Sequence, residues 1–273
     1  MSAAAFSLAL GAAVLHATWN ALLARSRDVR SATTVALVVA IVLFAPFAAA
    51  TWSVERAAVP WIVASAALEL LYFLLLTTAY RLADLSLVYP IARGSAPILV
   101  LAGATVAGVT LGALQAVGVV LAGVGVMLVR GIRGIVDRRG VFLSLAIGAT
   151  IAGYTLVDKE GIEHAATLPY LELVLAPVAV ATLTLQLAKG GVESLRSELT
   201  RPAVVAGVLS FAAYALALAA LELAPAASVA AVRETSILFA VALGAFFLRE
   251  QVSTGRVSGA VLVVTGVALV ALG

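Results

Sequence analysis

Apolar residues run along this chain in blocks, broken by short clusters of Arg, Asp, Glu, Gly and Pro. About twenty continuous apolar residues let a helix cross a bilayer. Strands of a membrane barrel would instead alternate apolar and polar positions, and these blocks do not. They predict helices at about 4–24, 30–50, 58–80, 85–107, 110–130, 140–158, 168–188, 202–222, 226–248 and 255–272. Several connections are only a few residues long, so neighbouring helices form antiparallel hairpins. The first block, Ala3 to Ala24, lacks a basic leader and outruns a signal-peptide core, so it reads as a retained first helix. The expected fold class is an all-α membrane protein of ten transmembrane helices.

Composition excludes a soluble alternative. Hydrophobic residues make up 63% of the 273 and charged residues 11%, against about 25% charged in soluble domains. With no cysteine, disulfides and thiolate metal sites are excluded. Two histidines, His16 and His164, do not make a metal site alone, so neither metal nor cofactor is expected. No P-loop, HExxH, GxSxG or DFG-type motif supplies machinery for nucleotide-driven pumping or hydrolysis.

An internal repeat organises the helices. An offset of 141 lays Ala79–Val129 on Ala220–Val270 without a gap. Gly103 then falls on Gly244, Gly118 on Gly259, Gly125 on Gly266 and Ser95 on Ser236. Ser7-Leu-Ala-Leu-Gly-Ala likewise matches Ser144-Leu-Ala-Ile-Gly-Ala. The halves, 1–133 and 138–273, each hold five expected helices. Five is odd, so the second half enters the membrane in the opposite sense. Two inverted five-helix repeats are an architecture of secondary transporters.

Charge sets the expected orientation. Arg25, Arg27, Arg30, Arg81, Arg130, Arg133, Arg138, Arg139, Lys189, Arg196, Arg201, Arg249 and Arg256 fall in alternate connections. Only Arg56 and Lys159 belong to the other face. The positive-inside rule makes the arginine-rich face cytoplasmic and puts both termini outside, in a multi-pass inner-membrane protein. A basic balance distributed this way reads as topology, not as a nucleic-acid surface.

Polar side chains inside the bilayer cost about 2.5–3.5 kcal/mol each on insertion scales and are functional candidates. His16, Glu69, Arg93, Tyr214, Arg233 and Glu234 fall near mid-depth on five different helices. The fourth expected helix carries Pro90, Arg93, Gly94 and Pro97; the prolines weaken its hydrogen-bond ladder and predict a hinge. Arg93 and Arg233 are candidates for holding an anion through their planar donor forks. Alternatively, Arg93 pairs with Glu69 or Glu234 and only holds helices together. Glu69 and Glu234 are candidate proton-coupling carboxylates or charge partners. His16, Trp19 and Asn20 are candidate cavity residues, with Tyr89, Tyr154 and Tyr214 as further aromatics. Asp158, Lys159, Glu160, Glu172 and Glu222 lie near helix ends and read as solvated. The GxxxG of Gly255 and Gly259, with Gly118, Gly123 and Gly125, reads as close helix packing, within the chain or in a homodimer.

At Leu85-Ser-Leu-Val-Tyr-Pro-Ile-Ala-Arg-Gly94 and His16-Ala-Thr-Trp-Asn-Ala-Leu22 the chain resembles the EamA-type branch of the drug/metabolite transporter superfamily. The resemblance implies ten helices in a 5+5 inverted repeat around a central cavity, moving amino acids, metabolites or drugs. By motif position that cavity would be lined around His16, Glu69, Arg93, Tyr214 and Arg233. Two departures stand out. A Gly-Glu-Arg common after the fourth helix reads Gly108-Val-Thr here, with a partial form at Arg249-Glu250. Many members also look N-in, against the arginine distribution here. The expected function is a secondary transporter or facilitator of a small anionic or zwitterionic metabolite, working by alternating access. A flippase for a lipid-linked substrate is one alternative. An intramembrane lipid-modifying enzyme is another, although it would gather its polar groups at one membrane face.

Overall fold

The computed structural model describes residues 1–82, 85–130, 138–248 and 253–273. The Arg249–Glu250 pair, Arg133 and Asp84 lie outside the described residues. Those residues form twelve helices: α1 (Ala3–Leu23), α2 (Val29–Ala50), α3 (Val59–Leu82), α4 (Leu85–Val106), α5 (Ala113–Arg130), α6 (Arg138–Gly161), α7 (Thr167–Ala188), α8 (Val192–Ser197), α9 (Arg201–Leu223), α10 (Ala226–Arg233), α11 (Ser236–Leu248) and α12 (Thr254–Leu272). A single 3-10 turn, Arg56–Ala58, leads into α3. An isolated bridge, Val54 to Ala165, is the one β contact among the described residues.

Eight of these helices are long and apolar enough to cross a membrane, and Ala113–Val129 is a shorter apolar one. The ends are set by local chemistry. Asp28 caps α2 by accepting from the backbone N–H groups of Arg30 and Ser31 at 3.0 and 3.4 Å. Ser2, Thr200 and Ser253 cap α1, α9 and α12 in the same way.

Two elements differ from expectation. The connection before α9 contains the short helix α8, which packs on α2. The segment expected as one continuous ninth helix is two, α10 and α11, joined through Glu234 and Thr235. Glu234, Thr235, Ile237 and Leu238 donate their backbone N–H groups to the carbonyl three residues back, tightening the turn. The Thr235 hydroxyl also donates to the Val232 carbonyl at 2.7 Å, competing with the regular ladder. By contrast α4 is unbroken, with Pro90 and Pro97 inside it.

Packing is dominated by α5 with α12, α1 with α9, and α6 with both α3 and α4. Further contacts join α2 to α7 and α9, α3 to α7, α10 to α4, and α1 to α10 and α11. The α5–α12 seam is built from glycine. A methyl group on Gly118 would strike the Gly266 carbonyl, and one on Gly125 the Gly259 carbonyl. The residue number on α12 falls as that on α5 rises, so the two helices are antiparallel. Gly123 faces α4 instead, against Gly94 and Ile98. The glycine stripe expected to mediate close packing does so within the chain, while Gly255 meets nothing. Elsewhere the core is aliphatic, with Phe44 of α2 stacked on Phe211 of α9 at 4.2 Å between ring centroids.

Candidate functional site

Six helices bring polar side chains together inside the bundle. From α4, the Arg93 Nη2 lies 3.1 Å from Oε1 of Glu234, the residue closing α10. Both side chains are nearly enclosed, at 13% and 6% exposure. Of the partners expected for Arg93, the structure selects Glu234. Arg233, one residue earlier, is only partly buried and makes no hydrogen bond or ion pair among the described residues. It is an electrostatic neighbour of His16, Glu69, Asp158 and Glu234. The tight α10–α11 turn thus supplies both Glu234, which takes up Arg93 of α4, and Arg233, which makes no such pair among the described residues.

The second half of the site centres on a residue that the sequence reading set aside. Asp158, near the C-terminal end of α6, is 1% exposed. Its Oδ1 accepts from Ser65 of α3 at 2.5 Å and from Tyr170 of α7 at 2.9 Å. Its Oδ2 accepts from Tyr214 of α9 at 2.6 Å. The solvated reading of Asp158 is therefore corrected: α7 and α9 cover this end of α6 and remove it from water. Three hydroxyl donors supply the hydrogen bonds a buried carboxylate requires. Lys159 points away, its Nζ donating to the Leu221 carbonyl at the end of α9.

Glu69 of α3 is also buried, at 5% exposure. It makes no ion pair with a described residue, and the one hydroxyl that reaches it is that of Tyr214. Asp158, Arg233 and the Tyr214 hydroxyl face it. An aromatic file, Tyr72 to Tyr154 to Tyr214, runs past the two carboxylates with ring centroids 6.4 and 6.2 Å apart. Tyr89, Tyr154 and Tyr72 also neighbour Arg93.

The remaining candidates divide. His16 neighbours both arginines and meets the Trp19 ring edge-on at 5.1 Å. Trp19 itself packs on the small apolar cluster of Leu23, Ala32, Ala36 and Ala206. Asn20 donates to the His16 carbonyl at 2.8 Å, within its own helix. Gly94 admits the Gly123 carbonyl and Met127 of α5 at close range. No group of three or more His, Cys, Asp or Glu side chains that could hold a metal occurs among the described residues.

Comparison with known proteins bears on this arrangement. The model of the EamA-like transporter family matches residues 138–272. The chain belongs to the EamA-like transporter family. This is a family of membrane transporters, not enzymes, within the drug/metabolite transporter superfamily, and the chain is a multi-pass membrane protein. A crystal structure aligns over 100% of this chain and 98% of its own, with TM-score 0.78 and 16% identity. At that identity the likeness is one of fold. No curated protein matches the chain.

Proposed function

We propose that this EamA-like transporter is a ten-span secondary transporter or facilitator in which two inverted five-helix halves enclose the site and alternate its access. The packing supports that symmetry. Counting α8 as a connection and α10–α11 as one span, most of the major contacts recur when each span is exchanged for the one five places on. The α1–α9 contact becomes α6–α3, α4–α6 becomes the contact of α10–α11 with α1, and α2–α9 becomes α7–α3. The α5–α12 and α2–α7 contacts map onto themselves. Under the 141 offset, the Gly118–Gly266 contact becomes Gly259–Gly125, the other contact of the same seam.

The cargo we propose is a small anionic or zwitterionic metabolite. Arg233 carries this reading: it is a cation at mid-depth with no committed partner among the described residues. An unneutralised guanidinium there is costly, and a solute carboxylate or phosphate would satisfy its planar fork. Glu69 and Asp158 opposite it provide acceptors for a solute ammonium group. The polar groups come from several helices and are mostly buried among them, which favours solute transport over chemistry at a membrane surface.

Reconstituted vesicles given a panel of amino acids, organic acids and organophosphates test this directly. Uptake of at least one such solute is expected, lost in Arg233→Ala and weakened in Arg233→Lys, which keeps the charge but not the fork. Normal uptake by folded Arg233→Ala would place the binding site elsewhere.

A further inference from the structure

We infer that Glu69 is the group that carries a transported proton, with Asp158 as its ionised positioning partner, so that proton and anionic solute enter the site together. This rests on the transport reading above and deepens it. The argument begins with hydrogen-bond stoichiometry. Asp158 accepts three hydroxyl donors, from Ser65, Tyr170 and Tyr214, so its ionised form is fully served. The phenol of Tyr214 has one hydrogen, and that hydrogen is spent on Asp158. Glu69 reaches the same phenol, whose one hydrogen does not serve both carboxylates, and Glu69 lacks the Ser65 and Tyr170 donors that Asp158 has. An ionised carboxylate, buried with no hydrogen left to accept and no ion pair, is among the most costly groups in a protein. A neutral carboxyl can instead donate its own proton to the free lone pair of the Tyr214 oxygen. The chain Glu69 O–H to Tyr214 O–H to Asp158 then satisfies every atom.

Arg233 makes this protonation consequential. It neighbours Glu69, Asp158 and Glu234 from α10. Arg93, the other cation of the site, is already taken by Glu234. The titratable groups turned towards Glu69 from the surrounding helices are Tyr154 and Asp158 on α6, Tyr214 on α9 and Arg233 on α10. Beyond these, Tyr170 reaches Asp158 from α7, and His16 reaches the arginines from α1.

When Glu69 is neutral, Arg233 is open to an anion. When the Glu69 O–H bond breaks and the proton leaves to water, the new carboxylate becomes the anion that Arg233 attracts. Solute anion and Glu69 carboxylate therefore compete for one guanidinium. A proton from one side of the membrane forms the O–H bond on Glu69 and frees Arg233 for the solute. Loss of both to the other side restores the starting pair, and proton plus monoanion cross with no net charge.

Infrared spectroscopy of the purified full-length protein tests this without needing a solute. At neutral pH the wild type should show the carbonyl stretch of a protonated carboxylic acid, disappearing as pH rises. The band should be absent in Glu69→Gln, persist in Asp158→Asn and move in Glu69→Asp, which guards against a Gln variant that fails to fold. In Arg233→Gln the band should persist to higher pH, because the ionised form has lost its cation. A band that survives Glu69→Gln, or vanishes in Asp158→Asn alone, overturns the assignment. So does its absence in wild type, with carboxylate bands that respond to exchanging sodium for a bulky organic cation; a metal cation would then occupy the site. An Arg233→Gln titration identical to wild type overturns the competition. If no solute in the vesicle panel is carried while the Glu69 band behaves as described, the transport reading fails and the proton assignment stands.

Discussion

Removing Glu234 would leave the Arg93 guanidinium enclosed without its counter-ion. Breaking one side of a buried pair costs about 3–5 kcal/mol, whereas removing both sides costs far less. Glu234→Ala should therefore lower the melting temperature in detergent sharply, and adding Arg93→Ala should recover much of the loss. Asp158→Ala strands three hydroxyl donors, at about 1–3 kcal/mol for each left unpaired. Asp158→Asn keeps an acceptor and should melt above Asp158→Ala. Depth along a helix was enough to find Arg93, Glu69, Tyr214 and Arg233 in the sequence, because ionisable groups in the middle of apolar runs need a reason to be there. It failed for Asp158, three residues from Gly161 at the end of α6. Linear distance from a helix end does not reveal that α7 and α9 fold over that end. Polar residues in three other apolar segments, Ser65, Tyr170 and Tyr214, were the available signal that an acceptor lay among them.

Helix length was legible from the continuous apolar runs, and the structure adds the Ser, Thr and Asp caps just before some of them. The division of the expected ninth helix was not: no proline or glycine marks it, and the tight turn at Glu234–Thr235 comes from i to i+3 bonding around a polar stretch. Conversely, the prolines of α4 suggested a hinge in a helix that runs unbroken from Leu85 to Val106. At the capped end of α2, Ser31 and Ser194 each donate to Asp28 Oδ2 at 2.7 Å. The Ser194 hydroxyl, foremost, holds this carboxyl below the ordinary carboxylate range, against a smaller opposing effect of partial burial. A pKa lowered by folding stabilises the protein above the ordinary range, and the gain is lost as pH falls through the folded value. Melting curves across acidic pH should thus fall more steeply for wild type than for Asp28→Asn. In the α5–α12 seam, Gly266→Val should sharply reduce folded protein, because the added side chain meets the Gly118 carbonyl and Ala122 backbone. Gly255→Ala, on the same helix but in open space, should leave the yield of folded, monodisperse protein near wild type.

For the molecule as a whole, connections touch where the expected topology puts them on one face. Asp28, between α1 and α2, accepts from Ser194 of α8, and its N–H donates to Glu198 at 2.9 Å. Glu55, between α2 and α3, donates its N–H to the His164 carbonyl between α6 and α7. These two sets lie at opposite ends of α2. Which end is cytoplasmic rests on arginine placement alone: reporters fused after Gly273 should read as outside and reporters inserted at 133–139 as inside. A cytoplasmic C-terminus would overturn the orientation and leave the packing untouched.

The glycine seam has a mechanical corollary. Where backbone meets backbone across α5 and α12, only short valine side chains flank the contact, so the pair has little slack along its length. In a rocking cycle it would be the axle, and the helices around Arg93, Asp158 and Arg233 would be the parts that swing. The chain has no cysteine, so any disulfide formed in it would be one introduced by design. A cross-link along the axle would leave it turning, while one between α4 and α6 would stall it.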